Sequence, residues 1–420
     1  MRVLIIGAGL GGLTLAHGLR RAGIDVEVFE RSSSAGAQPA SYGLHLDAEG
    51  LRALHGCLPA ENWERFTAAA GPARDFVRFQ DPQLRPLAML DRETTAITGD
   101  PVTRRRGIRR DALRDALLHG LDGSQDTTGV VHWDKTFTRY EPLPDDSVRV
   151  WFADGTHTDG DLLVGADGSN SRVRHQRLPD LERLDLGIVN IAGSLPLAPE
   201  LASLLPATLT DGSVNNVVPA GPGWMFLATW RTPDTPTPAP TTGNQIVWAW
   251  AALRSSYPNG VEQLPGHELR QLVADRIRGW ASVLQRVVAD TDPATIAAVP
   301  LRSMPPLPNW SSTTVTLLGD AIHNMTPMGG VGANTALRDA EALRAALITE
   351  AARPHLISGA VADYEQRMRT YANDALALST RNAHSAASEA RLPRFIFRTL
   401  LRLAEAFPPV KRAVFRPASS

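Results

Sequence analysis

The chain is short of several things that commonly declare a protein's class. Among its 420 residues there is one cysteine, Cys57. No intramolecular disulfide and no cysteine-rich metal site can form, which fits a reducing compartment. Of 43 basic residues only Lys135 and Lys411 are lysine, an arginine excess that reads as the codon bias of a GC-rich genome. The formal net charge is −1, and no basic stripe dominates, so nucleic acid is not an expected partner. No run of about 20 apolar residues is present, the length a membrane-spanning helix needs. An apolar strand, RVLIIG, begins at Arg2, and no secretory signal is expected. Together these absences predict a soluble cytoplasmic protein of two or three domains that binds no metal.

What is present begins with a strand, a glycine turn, a helix and a second strand: VLII, GAGLGG, LTLAHGLRRAG and DVEVFE. In Gly7-Ala8-Gly9-Leu10-Gly11-Gly12, Gly7 allows a tight turn. Gly9 lets the backbone approach a pyrophosphate, and Gly12 lets helix and strand pack closely. The N-terminus of the helix then offers unpaired N–H groups and a partial positive charge to the phosphates. Glu30, followed by Arg31, ends the second strand, where a carboxylate accepts hydrogen bonds from ribose hydroxyls. That acid disfavours a 2′-phosphate, so this site suits FAD or NAD rather than NADP. The alternative is a glycine turn in an ordinary α/β protein.

Two later segments also carry chemistry. DLLVGADGSNSR is an apolar strand running into Asp167-Gly168, which could equally be a plain Asp-Gly turn. GDAIHNMTPMGGVGAN follows another apolar strand and precedes the helical pattern TALRDAEALRAAL. Asp320, after Gly319, could take the hydroxyls of a polyol. The stretch from Pro327 to Gly332 could lie along a planar ring, because glycines leave the backbone N–H groups bare. A helix starting near Ala333 would aim its positive end at negative charge on that ring.

Between these segments the pattern changes. SVNNVV, GWMFLATW and QIVWAWAAL alternate with period two and predict antiparallel strands. The proline-rich RTPDTPTPAPTTGN predicts an extended surface loop, with a lid over a substrate as the alternative. The expected fold class is α/β: a Rossmann-type domain assembled from discontinuous segments, an inserted antiparallel-sheet substrate domain, and C-terminal helices. The expected boundaries are 1–75, 100–185 and 300–375 for the first domain, 76–99 and 186–299 for the second, and 376–420 for the C-terminal segment. Arg391 to Arg416 combines basic residues with an apolar stripe of Phe395, Ile396, Leu400 and Leu403. It is expected to pack over the catalytic domain or a second subunit, with a membrane-surface helix as the alternative.

In this order and spacing, the three glycine-bearing segments resemble the FAD-dependent monooxygenases of the para-hydroxybenzoate hydroxylase type, the single-component flavoprotein hydroxylases, over roughly residues 1–380. The resemblance implies that Gly7, Gly9, Leu10, Gly11 and Gly12 hold the FAD pyrophosphate, and that Glu30 and Arg31 flank the adenosine ribose. Arg110 matches an arginine that contacts the cofactor, with a solvated charge as its plain alternative. Asp167 and Gly168 match a motif credited with contacts to FAD and the reduced nicotinamide. Gly319 and Asp320 would meet the ribityl chain. Pro327, Met328 and Gly329 would lie beside the isoalloxazine, with Gly332, Ala333 and Asn334 near its pyrimidine edge. His45 and His323 are candidate acid–base residues, each more readily explained as structural.

The implied reaction is hydroxylation or epoxidation through an FAD C4a-hydroperoxide, with NADPH or NADH as transient donor and O2 as co-substrate. Trp224, Phe226, Trp248 and Trp250, with Pro327 and Met328, are candidate walls for an apolar aromatic or polyketide-like substrate; core packing is the alternative for each tryptophan. A reductase or dehydrogenase of the same fold, acting on an unsaturated substrate, and a non-catalytic flavin-binding module remain as alternatives. A flavin-dependent halogenase does not, since no lysine precedes Lys135 and WAWAALR lacks the Ile-Pro that such enzymes carry. The expected assembly is a monomer or a homodimer.

Overall fold

The computed structural model describes every residue except 35–42, 72–75, 91–99, 101, 124–128, 231–243, 351–356, 408, 410 and 412–420. The proline-rich stretch, apart from Asn244, lies outside the described residues, as does the end of the basic C-terminal segment. The chain divides into two units, residues 1–69, 109–184 and 302–380 in the first and 70–108, 185–301 and 381–420 in the second.

The first unit is built on a parallel sheet. Its strands run in the order Val315–Leu317, Leu162–Gly165, Arg2–Ile6, Asp25–Phe29 and Val131–His132, and among the described residues neighbouring strands pair in parallel. A parallel sheet is covered on both faces, so its strands read as continuous apolar runs. Val3, Leu4, Ile5, Leu162, Leu163 and Val164 are accordingly fully buried. Helix Leu10–Arg21 crosses back over the sheet, buried from Leu10 to Leu19, and packs against helix Gly332–Glu350. Cys57 lies in this packing, and burial pushes its thiol up to about 12, which leaves it unreactive.

The second unit is built on a seven-stranded sheet. The strand order is Ala297–Ser303, Leu184–Pro196, Gln245–Leu253, Trp224–Trp230, Val214–Val217, Val77–Gln80 and Pro86–Leu90. The three strands expected from period-two patterning are antiparallel to their sequence neighbours. The sheet is mixed, however, because Val77–Gln80 joins Val214–Val217 in parallel. That pairing connects strands far apart in the chain, which no local pattern reports.

Alternation divides this sheet into two faces. One carries Val189, Ile191, Met225, Leu227, Trp248 and Trp250 into a core with Leu269 and Val273 of helix Gly266–Arg276 and Leu284, Val287 and Val288 of helix Ser282–Ala289. The other carries Trp224 and Phe226. Residues 100–108 and 381–420 fall in this unit, although the sequence predicts the former with the Rossmann domain and the latter as part of a separate segment. The cause is packing. Gly71 N–H donates to Gly107 O at 2.7 Å, and Phe397 and Leu401 pack with Leu87, Ala88 and Val218.

A buried histidine ties three helices of the first unit. His17 Nε2 lies 2.7 Å from Leu117 O, to which it donates, and Asn62 Nδ2 donates to Ala116 O and His119 O. Burial, reinforced by nearby Arg20, pulls the His17 pKa down to about 4 despite the Leu117 bond. The folded value lies below the unfolded one, so the stability linked to it is complete above about pH 6.5 and is lost as pH falls toward 4. Denaturant titrations at pH 7 and 4.5 are expected to show a loss about 2 kcal/mol larger in the native chain than in His17→Gln.

Candidate functional site

The first unit brings three distant segments together through contacts that a side chain would block. A Cβ on Gly7, which has φ of +110°, would overlap the backbone of Ala166. Ala166 N–H donates to Ile6 O at 2.8 Å, seating the Asp167-Gly168 turn against the N-terminal glycine turn. A Cβ on Gly12 would overlap Gly7 O. On Gly11 it would lie 2.7 Å from Leu318 Cδ1, just past strand Val315–Leu317, and 3.3 Å from Ala336 O of the helix that follows the third segment. Gly9 is different: nothing lies within 4 Å of the place its Cβ would occupy. It is the N-cap of helix Leu10–Arg21, and no side chain caps that helix.

Side chains complete the junction. Glu30 is 7% exposed; one carboxylate oxygen accepts from Ala8 N–H at 2.8 Å and the other from Ser32 N–H and Oγ. Arg31 beside it is exposed. Asp167 closes its own turn, accepting from Ser171 Oγ, Arg172 N–H and Val173 N–H. Burial holds its pKa above the ordinary carboxylate value, against the lowering effect of those donors. Gly168 has φ of +79° and open space beside it.

The third segment is the most heavily braced. Gly319, with φ of +61°, donates its N–H to Asp339 Oδ2 at 2.7 Å. The same oxygen lies 2.6 Å from His323 Nε2, and Asp339 Oδ1 accepts from Tyr371 Oη at 2.6 Å. His323 and Asp339 are fully buried. Burial draws the imidazole pKa down, but the charge and hydrogen bond of Asp339 outweigh it, and the net shift is upward. His323 is thus held inside the fold as a buried partner of Asp339.

Asn334, 5% exposed, acts as a clasp. Its Oδ1 accepts from Asp47 N–H, while its Nδ2 donates to His45 O and Gly330 O, each at 3.0 Å. His45 thus stands beside this loop through its backbone. Gly50 permits the clasp, since a Cβ there would overlap Asn334 Oδ1. Thr326 is pinned by Ser379, Oγ1 to Oγ 2.6 Å. Between these anchors Pro327, Gly329 and Gly330 are exposed and Met328, Gly332 and Ala333 half-buried. Gly329 and Gly330 have φ of +130° and +66°, conformations that exclude ordinary side chains.

Asp320 differs from the other acids. It is half-buried, and among the described residues no hydrogen bond or ion pair engages its carboxylate. An uncommitted acid next to a braced glycine turn suits a ligand rich in hydroxyls.

Two site residues were not among those expected from the sequence. Arg114, one turn beyond Arg110, is 5% exposed and donates from Nε to Ala8 O at 3.2 Å. Arg110 itself is half-buried. Arg174, 2% exposed, donates to Ser169 O and Ala321 O, joining the second segment to the third. Arg114 lies among Leu113, Ala116, Leu117 and Leu118, which its helix buries, while Asp115 beside it is exposed. Nothing local marks Arg174 out from the arginines around it.

This architecture matches known families. A family model described as FAD binding domain matches residues 147–379, more than half of the chain, and one described as NAD(P)-binding Rossmann-like domain matches residues 5–69. The chain belongs to the FAD-dependent monooxygenase family. Within that family it is 32% identical over 368 residues to a 3-amino-4-hydroxybenzoate 2-monooxygenase of Streptomyces cremeus, covering 87% of this chain and 82% of the relative. It is 30% identical over 413 residues to a dual O-methyltransferase/FAD-dependent monooxygenase of Cercospora beticola, covering 88% of this chain and 44% of the relative. The chain spans less than half the length of that relative and of two similar dual proteins. A solved structure from Photorhabdus luminescens subsp. laumondii, assigned as an FAD-containing monooxygenase, is 42% identical with a TM-score of 0.82, covering 92% of this chain and 98% of that one.

In the second unit of this flavoprotein, the expected aromatic wall splits in two. Trp248 and Trp250 are 0% and 2% exposed in the core, and Trp248 Nε1 donates to Thr291 Oγ1 at 2.8 Å. They are corrected from substrate-wall candidates to core residues, because strand alternation turns them toward the helices. Trp224 and Phe226 lie on the opposite face, half-buried, with Trp224 Nε1 donating to Asn216 Oδ1 at 2.9 Å.

Replacing Asn334 by Ala removes three hydrogen bonds and is expected to lower the unfolding free energy by about 3 kcal/mol. Denaturant titration measures this, and an unchanged midpoint would rule out the clasp as a stabilising element.

Proposed function

We propose that the chain is an NAD(P)H- and O2-dependent FAD monooxygenase that hydroxylates or epoxidises a largely apolar aromatic or polyketide-like small molecule. The observation that carries this reading is the convergence of the three glycine-bearing segments on one another, with Asp320 left uncommitted among them. Family membership supports it. So does the Streptomyces relative, which by its name acts on an aromatic amino-hydroxybenzoate. Reduced by NADPH or NADH, FAD supplies the ability to activate O2, placing one oxygen atom in the substrate and releasing the other as water.

The chain's residues supply position and electrostatics. The bare N-terminus of helix Leu10–Arg21, opened by Gly9, suits the pyrophosphate. Glu30 orients the ribose, and Arg110 and Arg114 add positive charge near the phosphates. Asp320 accepts from ribityl hydroxyls. Gly329, Gly330 and Gly332 let the backbone approach a flat ring without side chains between. The helix beginning at Gly332 directs its first-turn N–H groups toward negative charge on the pyrimidine edge. His45 remains a candidate beside that loop.

For the substrate, the second unit offers the sheet face of Trp224 and Phe226. Pairing places Ala249 beside Phe226, Ala251 beside Trp224, Ala192 beside Ala249 and Asn190 beside Ala251. Trp224 packs against Phe397, ring centroids 5.9 Å apart, and the small alanines beside Phe226 make a flat apolar bed. Asn190 is 8% exposed, and its buried Oδ1 has no hydrogen-bond partner, an arrangement that favours a substrate donor. A cytoplasmic location and a monomer or homodimer complete the reading. Among the described residues no helix is long and apolar enough to cross a membrane.

With an accepted substrate, O2 consumption is expected to equal NAD(P)H oxidation. Equal turnover under strict anaerobiosis would instead identify a reductase and end the monooxygenase reading. Asp320→Ala is expected to weaken FAD binding by about 10- to 100-fold with an unchanged circular dichroism spectrum, measured by flavin fluorescence titration; unaltered affinity would remove Asp320 from the ribityl site.

A further inference from the structure

Helix Arg391–Ala406 uses only part of its surface to pack. On its inner side Leu401 and Ala404 are fully buried, and Phe397 and Leu401 join Leu87, Ala88 and Val218. Arg398 donates to Val218 O at 2.6 Å, and Arg394 donates to Ala386 O and Ser388 O. Glu405 accepts from Met89 N–H at 3.0 Å. These bonds fix the helix's rotation about its axis.

That rotation leaves a second apolar stripe facing outward. Leu392 is 68% exposed, Phe395 67%, Ile396 48%, Leu400 41%, Leu403 44% and Phe407 56%. At the helical spacing of these positions they cover an arc of roughly 140°, and no charged residue falls within it. Isolated exposed apolar side chains are ordinary, but a contiguous stripe of five on one helix, continued by Phe407 at its C-cap, is an interaction surface.

Charge decides between occupants. Arg391, Arg398 and Arg402 line one flank of the stripe, and Arg391 and Arg402 are exposed. The helix's only carboxylate, Glu405, is engaged by Met89 N–H and lies 3.4 Å from Lys411 Nζ. Packing two copies of the helix antiparallel would set the arginine flanks against each other. A parallel pair would set them against a flank bearing Pro393 and Leu400, with no acid to meet them. An apolar stripe with a one-sided arginine border instead matches the boundary between acyl chains and anionic headgroups.

We propose that the outward face of helix Arg391–Ala406 docks the protein in-plane on an anionic lipid surface. Leu392, Phe395, Ile396, Leu400, Leu403 and Phe407 enter the acyl boundary, and Arg391 and Arg402 meet the headgroups. The proposal does not depend on the reaction assigned above, although an apolar substrate would be enriched at such a surface.

The test uses the whole 420-residue chain, loaded with FAD, and floats it with vesicles of phosphatidylcholine alone or of phosphatidylcholine with phosphatidylglycerol. Sedimentation velocity without lipid runs beside it. Flotation with the phosphatidylglycerol vesicles is expected, weaker by about tenfold on phosphatidylcholine alone and reduced by high salt. The double variants Phe395→Ser/Leu403→Ser and Arg391→Gln/Arg402→Gln are each expected to lose about tenfold in binding while keeping flavin content and melting temperature. Absence of flotation with either vesicle overturns the proposal. So does equal binding to both vesicles with the arginine variant unaffected. A lipid-free dimer that Phe395→Ser/Leu403→Ser converts to monomer overturns it in favour of a second copy on this face.

Discussion

The site in the first unit depends on one steric constraint: backbone must touch backbone where Gly7 meets Ala166. Strands Arg2–Ile6 and Leu162–Gly165 are parallel neighbours, so both of their turns leave the same end of the sheet. Ligands in doubly wound folds bind at that end. A methyl group on Gly7 would push the second turn away, and one on Gly11 would meet Leu318 and Ala336 of the third segment. The glycines at these two positions are therefore tertiary requirements. Gly9 differs, because the space beside it is kept open.

Given that junction, the buried acids divide by what already engages them. Glu30 holds Ala8 and Ser32, Asp167 holds its own helix start, and Asp339 holds Gly319, His323 and Tyr371. These carboxylates are internal braces first. A buried charge is tolerated only when paired or richly hydrogen-bonded, and each of the three satisfies that condition. Asp320, half-buried and with no such partner among the described residues, has its acceptor capacity in hand. Gly319 is thus braced through its N–H by Asp339, while the side chain of its neighbour Asp320 is not.

The second unit shows the same economy in its sheet. Alternation sends Trp248 and Trp250 to the helices and leaves Trp224 and Phe226 on the other side. The C-terminal helix is held by Phe397, Leu401 and Arg398, which is why its apolar residues split into an inner and an outer set. Residues of one chemical type come to opposite uses because strand and helix geometry assigns them a direction.

Much was legible in the chain alone. The N-terminal strand–glycine–helix pattern, the Asp-Gly and Gly-Asp turns and the period-two strands are local signals, set by steric rules that act over a few residues. From them came the α/β class, the discontinuous Rossmann domain and the flavoprotein resemblance. Tertiary structure alone decided that Arg114 and Arg174 enter the junction, that His323 is a buried partner of Asp339, and that Val77–Gln80 pairs in parallel. It also decided which tryptophans face the core and which side of the last helix is left bare. Those outcomes depend on contacts between residues far apart in sequence. A side chain's burial and partners are properties of the assembled neighbourhood, which no single stretch of the chain contains.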